Sequence, residues 1–212
     1  MDRRRFIEAL GRFASVGASS LLISEHLQAD LQCSPYNQAG VQQCQVGIDS
    51  SIIPVMASQQ MPEWCWAASI SMVFRYYGFT VSQQRIVSET WGGIVNMPGG
   101  PDQILEDLNR SWKDDDDNKF TANGESYDAN PITASQDLAQ DMPLIIGSMG
   151  HAMVLTSLVY LRDATGRGSV QAAIVRDPWP GRGRRVLTPQ EWYAAQFLAR
   201  IRVEKDDDHD DN

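Results

Sequence analysis

The chain has 212 residues, 42% hydrophobic and 21% charged, the proportions of a soluble globular domain rather than of a disordered, collagen-like or polytopic membrane protein. That length buries enough apolar surface to fold without a structural metal or a dense disulfide framework. A formal net charge of −9 argues against nucleic-acid partners. Much of the acid sits in two runs, 113–119 and 205–212, read as a solvated loop and an acidic tail.

Residues 1–29 read as an address. Arg3-Arg4-x-Phe6-Ile7 resembles the twin-arginine export signal. The uncharged run 13–24 is too short for a bilayer, which needs about 20 apolar residues, and suits a signal-peptide core. Leu27-Gln28-Ala29 offers a small residue for cleavage. The expected location is therefore periplasmic or secreted, with no stable membrane association after signal removal. The alternative is an amphipathic N-terminal helix with Phe6, Leu10 and Phe13 on one face. Cysteine usage supports export: Cys33 and Cys44 lie eleven apart in a Gln-rich segment with little core of its own, where a disulfide would close a short loop. Cys65 is then left over, a candidate reactive thiol.

Along the body, 30–51 reads as an irregular lead-in, 52–203 as the folded domain and 204–212 as the tail. Ile52-Ile53 and Val55-Met56 are short apolar anchors. Ala67, Ala68, Ile70, Met72, Val73 and Phe74 predict a buried helix over 67–77, ended by Gly78. A second helix over 82–90 is capped by Ser82. A third starts near Pro101, with Ile104, Leu105 and Leu108 on one face, and Thr133-x-x-Gln136 opens a fourth. From Pro143 the pattern changes. Leu144-Ile145-Ile146 is a buried strand, and 151–161 and 170–175 form a hairpin around a turn at 163–168. Thr188-Pro189-x-Glu191 combines a capping box with a first-turn proline for a last short helix, and 197–203 is a closing strand. Helices followed by antiparallel strands define an α+β domain.

The chemistry concentrates at Gln59-Gln60-Met61-Pro62-Glu63-Trp64-Cys65-Trp66-Ala67-Ala68. Cys65 falls at the start of the buried helix, where free N–H groups and the helix dipole stabilise a thiolate. A thiolate nucleophile needs an imidazole partner. Of three histidines, His26 lies in the signal and His209 in the tail, leaving His151. A turn centred at 165–166 places Asp177 opposite about Val154, close enough to His151 to hold its tautomer. Taken singly, Cys65 also reads as a buried small hydrophobe, His151 as a core histidine and Asp177-Pro178 as a turn.

Cys-Trp-Ala-Ala, a Gln six residues earlier, Gly150-His151-Ala152-Met153-Val154-Leu155 and Asp177-Pro178-Trp179, in that order, resemble the papain-like cysteine peptidases. The pieces are similar to two bacterial branches, the cysteine-protease avirulence effectors of plant pathogens and the leader-cleaving peptidase domains of bacteriocin exporters. The resemblance covers about 52–203. It implies a papain-like fold, a helical N-terminal half packed on an antiparallel C-terminal half, and a Cys65-His151-Asp177 triad acting on a peptide or protein substrate. It further implies Gln59 as an oxyanion donor beside the Cys65 N–H, with Gln60 leaving the register open by one, and Trp179 as a shield over the His–Asp pair. An acyl or amide transferase on the same triad, and an inactive papain-like binding module, are the alternatives.

Two charged patterns complete the reading. Asp114, Asp116, Asn118 and Glu125 fit positions one, three, five and twelve of a calcium loop, but Lys119 stands where that loop turns on glycine; no metal or other cofactor is expected. Arg176, Arg182, Arg184 and Arg185 cluster around Asp177, as a surface loop or, alternatively, as the lining of a site for acidic substrate groups.

Overall fold

The computed structural model describes residues 30–48 and 57–206. Residues 1–29, where an export signal is expected, the 52–56 anchors and the last six residues lie outside them. Among the described residues, one antiparallel sheet carries five helices. The strands are β1 (Gln32–Cys33), β2 (Val41–Gly47), β3 (Ser111–Lys113), β4 (Lys119–Tyr127), β5 (Leu144–Ser148), β6 (His151–Asp163), β7 (Gly168–Asp177), β8 (Gly183–Val186) and β9 (Ala195–Lys205). The helices are α1 (Cys65–Tyr76), α2 (Gln83–Trp91), α3 (Pro101–Asp107), α4 (Pro131–Ala139) and α5 (Pro189–Tyr193). None is long and apolar enough to cross a membrane.

The long strand β6 is the spine. One edge pairs first with β5, from Ser148↔His151 to Leu144↔Leu155, and then with β2, from Gly47↔Ser157 to Val41↔Asp163. The other edge takes β7, which carries β8. Beyond β5 lie β9, β4 and β3. Both faces are covered, so the central runs Leu144–Ile146 and Ala152–Leu155 are apolar at consecutive positions. Ile145, Ala152, Val154, Ala199 and Ile201 face a core built with α1, α2 and α3. Their neighbours Leu144, Ile146, Met153, Leu155 and Leu198 face a second core with α4 and α5. This alternation is the period-two pleat. α1 is buried through Trp66, Ala67, Ile70, Val73 and Phe74, each large side chain contributing about 1.5–3 kcal/mol of hydrophobic stabilisation.

The described part of the expected irregular lead-in, 30–48, is regular. β1 and β2 form a hairpin, joined by a Cys33–Cys44 disulfide at directly paired positions, and β2 extends the sheet along β6. Cys44 and Val46 point inward while Gln43 and Gln45 point out, so the alternation was masked by polar outward residues. The folded unit therefore begins before residue 52, and β9 runs on to Lys205.

A second hairpin, β3–β4, lies where a solvated loop was expected. Trp112 pairs across from Phe120, and both rings meet Phe74, with centroids 5.4 and 5.0 Å away. The acidic run is its turn: Asp114 Oδ1 accepts from the backbone N–H groups of Asp116 and Asn118 at 2.9 and 2.8 Å. Glu125 sits in β4 and pairs with Arg200. The calcium-loop pattern is thus a strand–turn–strand, and no group of three metal-binding side chains occurs among the described residues.

Two caps also differ from expectation. Ser82 occupies the N-cap of α2 but its side chain makes no cap bond. α4 opens at Pro131, ahead of Thr133, because Asn130 Oδ1 accepts from the N–H groups of Ile132 and Thr133 and Pro131 presets the first turn. Thr188 and Glu191 form the expected capping box of α5.

Asp107, at the end of α3, is a buried carboxyl whose Oδ2 lies 2.9 Å from Thr90 Oγ1. Thr90 Oγ1 also lies 2.7 Å from the Ile86 carbonyl. Burial pushes the carboxyl up to about 7, opposed by Thr90 and Arg110. The folded state therefore keeps a proton that the unfolded state releases near pH 4, and stability falls as pH rises from about 4 to 7. Asp107→Asn is expected to remove that loss, on the order of 3 kcal/mol, seen as a smaller decrease in urea midpoint between pH 5 and pH 8 than in the wild type.

Candidate active site

Cys65 is the first residue of α1, after Trp64 at the N-cap. No side chain caps this terminus and no acid stands in its first turn, so its N–H groups remain available to a negative charge. The indoles of Trp64 and Trp66 are buried on either side while Cys65 stays partly exposed. Each indole N–H donates to the loop after α2, Trp64 to the Val95 carbonyl at 2.8 Å and Trp66 to the Met97 carbonyl at 3.1 Å. Gly99 lies so close to Trp66 that a Cβ there would stand 2.4 Å from the ring. The two tryptophans fix the thiol by packing to either side of it.

His151 opens β6 directly after the two-residue turn Met149-Gly150, whose φ values of 52° and 75° are both left-handed. Across the sheet, Val154 pairs with Arg176, so Asp177 lies one step closer to His151 than the turn arithmetic placed it. The two register shifts between β6 and β7 cancel along the ladder, and the difference comes from the turn, which centres on residue 165. His151 Nε2 lies 2.7 Å from Asp177 Oδ1, and the Ala152 N–H donates to Cys65 Sγ at 3.5 Å. α1, β6 and β7 thus bring Cys65, His151 and Asp177 into one cluster.

Asp177 is 3% exposed and accepts on both oxygens. Oδ1 takes His151 and the Trp179 N–H (2.9 Å); Oδ2 takes Arg185 Nε (2.6 Å) and, at 3.5 Å, Arg182 Nη1. Burial works against ionisation, but the bonds from His151, Trp179 and Arg185 hold the carboxyl well below the usual carboxylate range. Burial likewise pulls the imidazole down, and the bonds to Asp177 and Cys65 outweigh it, lifting His151 to about 9.

Gln59 is buried, and its backbone N–H donates to the Pro178 carbonyl at 2.7 Å. Gln83 grips the residues on either side, accepting from Gln60 N–H and donating to the Ser58 carbonyl. Gln60 is exposed. The Gln59 amide nitrogen donates to the carbonyls of Met61 (3.1 Å) and Pro62 (2.6 Å), so donation to a substrate oxygen requires exchange of one of these bonds. Trp179 turns its ring edge-on to His151 with centroids 6.3 Å apart, and is half-exposed: it covers one side of the imidazole.

The sequence placed Arg185 among the arginines near Asp177 and Glu191 in a capping box, without giving either a part in holding the triad. Arg185 holds Asp177 and also grips Glu191 with both terminal nitrogens, at 3.0 and 2.6 Å, while Nη2 lies 3.1 Å from Met153 Sδ. The Arg185 bond, against the effect of burial, draws the Glu191 carboxyl down to about 2. Glu191 was legible only as a capping residue, and it also accepts from the Thr188 N–H; the β7–β8 return, which sets Asp177 opposite Gly183, was the missing signal for Arg185.

Fold and site together define a cysteine peptidase of the papain-like α+β type. The chain matches the Peptidase_C39 like family over residues 52–200 and belongs to that family. No curated protein matches it. Among solved structures it is similar to the peptidase domain of Streptococcus ComA, a bi-functional ABC transporter involved in a quorum-sensing pathway. The identity is 16% and the TM-score 0.50, over 71% of this chain and 98% of that domain, a likeness of fold.

Arg185→Gln leaves Asp177 and Glu191 without their shared cation and is expected to cost on the order of 3 kcal/mol of stability. It also removes a positive charge that opposes the imidazolium, so the His151 titration followed by NMR is expected to move upward. Arg185→Lys is expected to keep the titration near its original position while losing the two-pronged contact to Glu191.

Proposed function

We propose that this chain hydrolyses peptide bonds through a Cys65–His151–Asp177 triad. The observation that carries the reading is the imidazole of His151, bonded through Nε2 to a buried carboxylate and interacting with the Cys65 thiol at a helix N-terminus. Cys65 attacks the substrate carbonyl as a thiolate, and the oxygen takes the negative charge. The Cys65 N–H is one donor to that oxygen and the Gln59 amide, once released from a backbone carbonyl, the second. His151 as imidazolium donates its proton to the departing amine, leaving a thioester on Cys65. A water molecule, deprotonated by His151, then releases the acid and restores the thiol. Asp177 keeps the imidazole oriented through both steps, and Trp179 limits water on one side of it.

The chain is further read as exported. Arg3-Arg4-x-Phe6-Ile7 supplies the address, and a disulfide between Cys33 and Cys44 suits an oxidising compartment and leaves Cys65 as the free thiol.

At pH 6 an ordinary thiol, with a pKa of about 8.5, is almost wholly protonated, yet Cys65 is expected to react rapidly with iodoacetamide. His151→Ala is expected to slow that reaction by about 100-fold or more, and equal rates in the two proteins would exclude the ion pair. In peptide hydrolysis kcat/KM should fall as pH rises through about 9, because His151 then loses the proton the leaving amine needs. Asp177→Asn should retain reduced turnover, and Asp177→Ala should lose far more.

Replacing Arg3 and Arg4 with lysine is expected to hold the protein in the cytoplasm. The mass of the wild-type secreted chain should correspond to a start near Asp30 with one disulfide; a chain starting at Met1 would contradict export by this signal.

A further inference from the structure

The segment from Arg176 to Leu187 contains four arginines and one acid, Asp177, in a chain whose net charge is −9. Arg185 is matched by Asp177 and Glu191. Arg182 reaches Asp177 only at 3.5 Å, is 54% exposed in its side chain, and lies over the Trp179 ring. Arg184 forms no ion pair among the described residues. It stands opposite Arg176 in the β7–β8 register, a like-charge pairing that costs a sheet stability. Burial and the Arg184 charge both hold the Arg176 guanidinium below its ordinary value, so the Arg184 charge is felt within the fold.

Arg182 and Arg184 border an open cavity of about 420 Å³ that Asp177 also lines, its carboxylate already taken by His151, the Trp179 N–H and Arg185. Its remaining wall is small: Ala57, Ser58, Gly181 and Gly183. Glycine at 181 and 183, with φ of 82° and 55°, turns the chain tightly and leaves room between the guanidinium groups. A bare-walled cavity with two incompletely neutralised guanidinium groups matches a carboxylate in shape and charge. Asp177, in its wall, bonds the His151 imidazole, which puts the cavity next to the triad.

We propose that the cavity between Arg182 and Arg184 is an anion subsite that takes an acidic side chain of the peptide substrate close to the cleaved bond. This deepens the peptidase reading above and rests on it. Arg184 is the specificity-determining residue, because Arg182 also touches the Asp177 carboxylate.

The test uses three thiol reagents on the full mature chain: neutral iodoacetamide, iodoacetyl-glutamic acid amide and iodoacetyl-lysine amide. In wild type the glutamate reagent is expected to label Cys65 about five- to tenfold faster than the lysine reagent, the scale of a partly screened charge contact. Arg184→Glu, a change at an exposed strand position, should abolish or invert that ratio while leaving the iodoacetamide rate unchanged. The His151 charge is common to both proteins, so the comparison isolates Arg184. A wild-type ratio near one, or a ratio unaltered in Arg184→Glu, overturns the subsite. The ratios are measured at pH 6 and at pH 8.5, where any accessible thiol reacts. Slow iodoacetamide labelling at pH 6 with an Arg184-dependent ratio at pH 8.5 would defeat the triad and leave the subsite standing. Fast labelling at pH 6 with no such ratio would do the reverse.

Discussion

A carboxylate taken out of water must be surrounded by donors, and Asp177 is nearly fully buried. Its two oxygens collect an imidazole, a backbone N–H and two guanidinium groups, and those donors come from three separate parts of the chain. His151 requires the start of β6 beside the end of β7. Trp179 requires the chain to turn at once after Pro178. Arg185 requires β8 to fold back along β7. Satisfying this one group therefore aligns the strand ends that carry the site, and it sets the protonation preference of His151.

The sheet works in the same direction on a larger scale. β6 is shared among α1 on one face and β2, β5 and β7 at its edges, so its position is fixed from several sides. His151 is its first residue, preceded by a turn with both central residues left-handed. Met149 is a costly residue for such a turn, and it is held there by the pairing on either side of it. The thiol is fixed in a complementary way. The helix that bears it is clamped against β6 by apolar packing, and its first turn is tied to the loop after α2 by two indole N–H groups.

Much of this was legible in residue order. α1 showed itself by apolar positions all round, and β5, β6 and β7 by β-branched runs around a turn. Cys65, His151 and Asp177 stood out because histidine is scarce in the chain and hairpin arithmetic joined the last two. What escaped was non-local or disguised. The β1–β2 hairpin has inward residues at Cys44 and Val46 only, between glutamines. The β3–β4 hairpin has an acidic turn that looked like a solvated run. Arg185 and Glu191 meet through a strand return that no local pattern announces, and the Gln59 amide is spent on two carbonyls close by in sequence, a fact of side-chain rotamer rather than of spacing.

The last strand among the described residues is not the last in the sheet. β9 lies between β5 and β4, pairing with Leu144–Ser148 on one side and with residues 120–127 on the other. Until residues 195–205 have left the ribosome, the central sheet has a gap and the strand leading into His151 lacks a neighbour. Pairings this distant in sequence form late and slowly. The order of synthesis thus imposes a delay: the thiol is made first, its partners next, and the strand that closes the sheet around them after both.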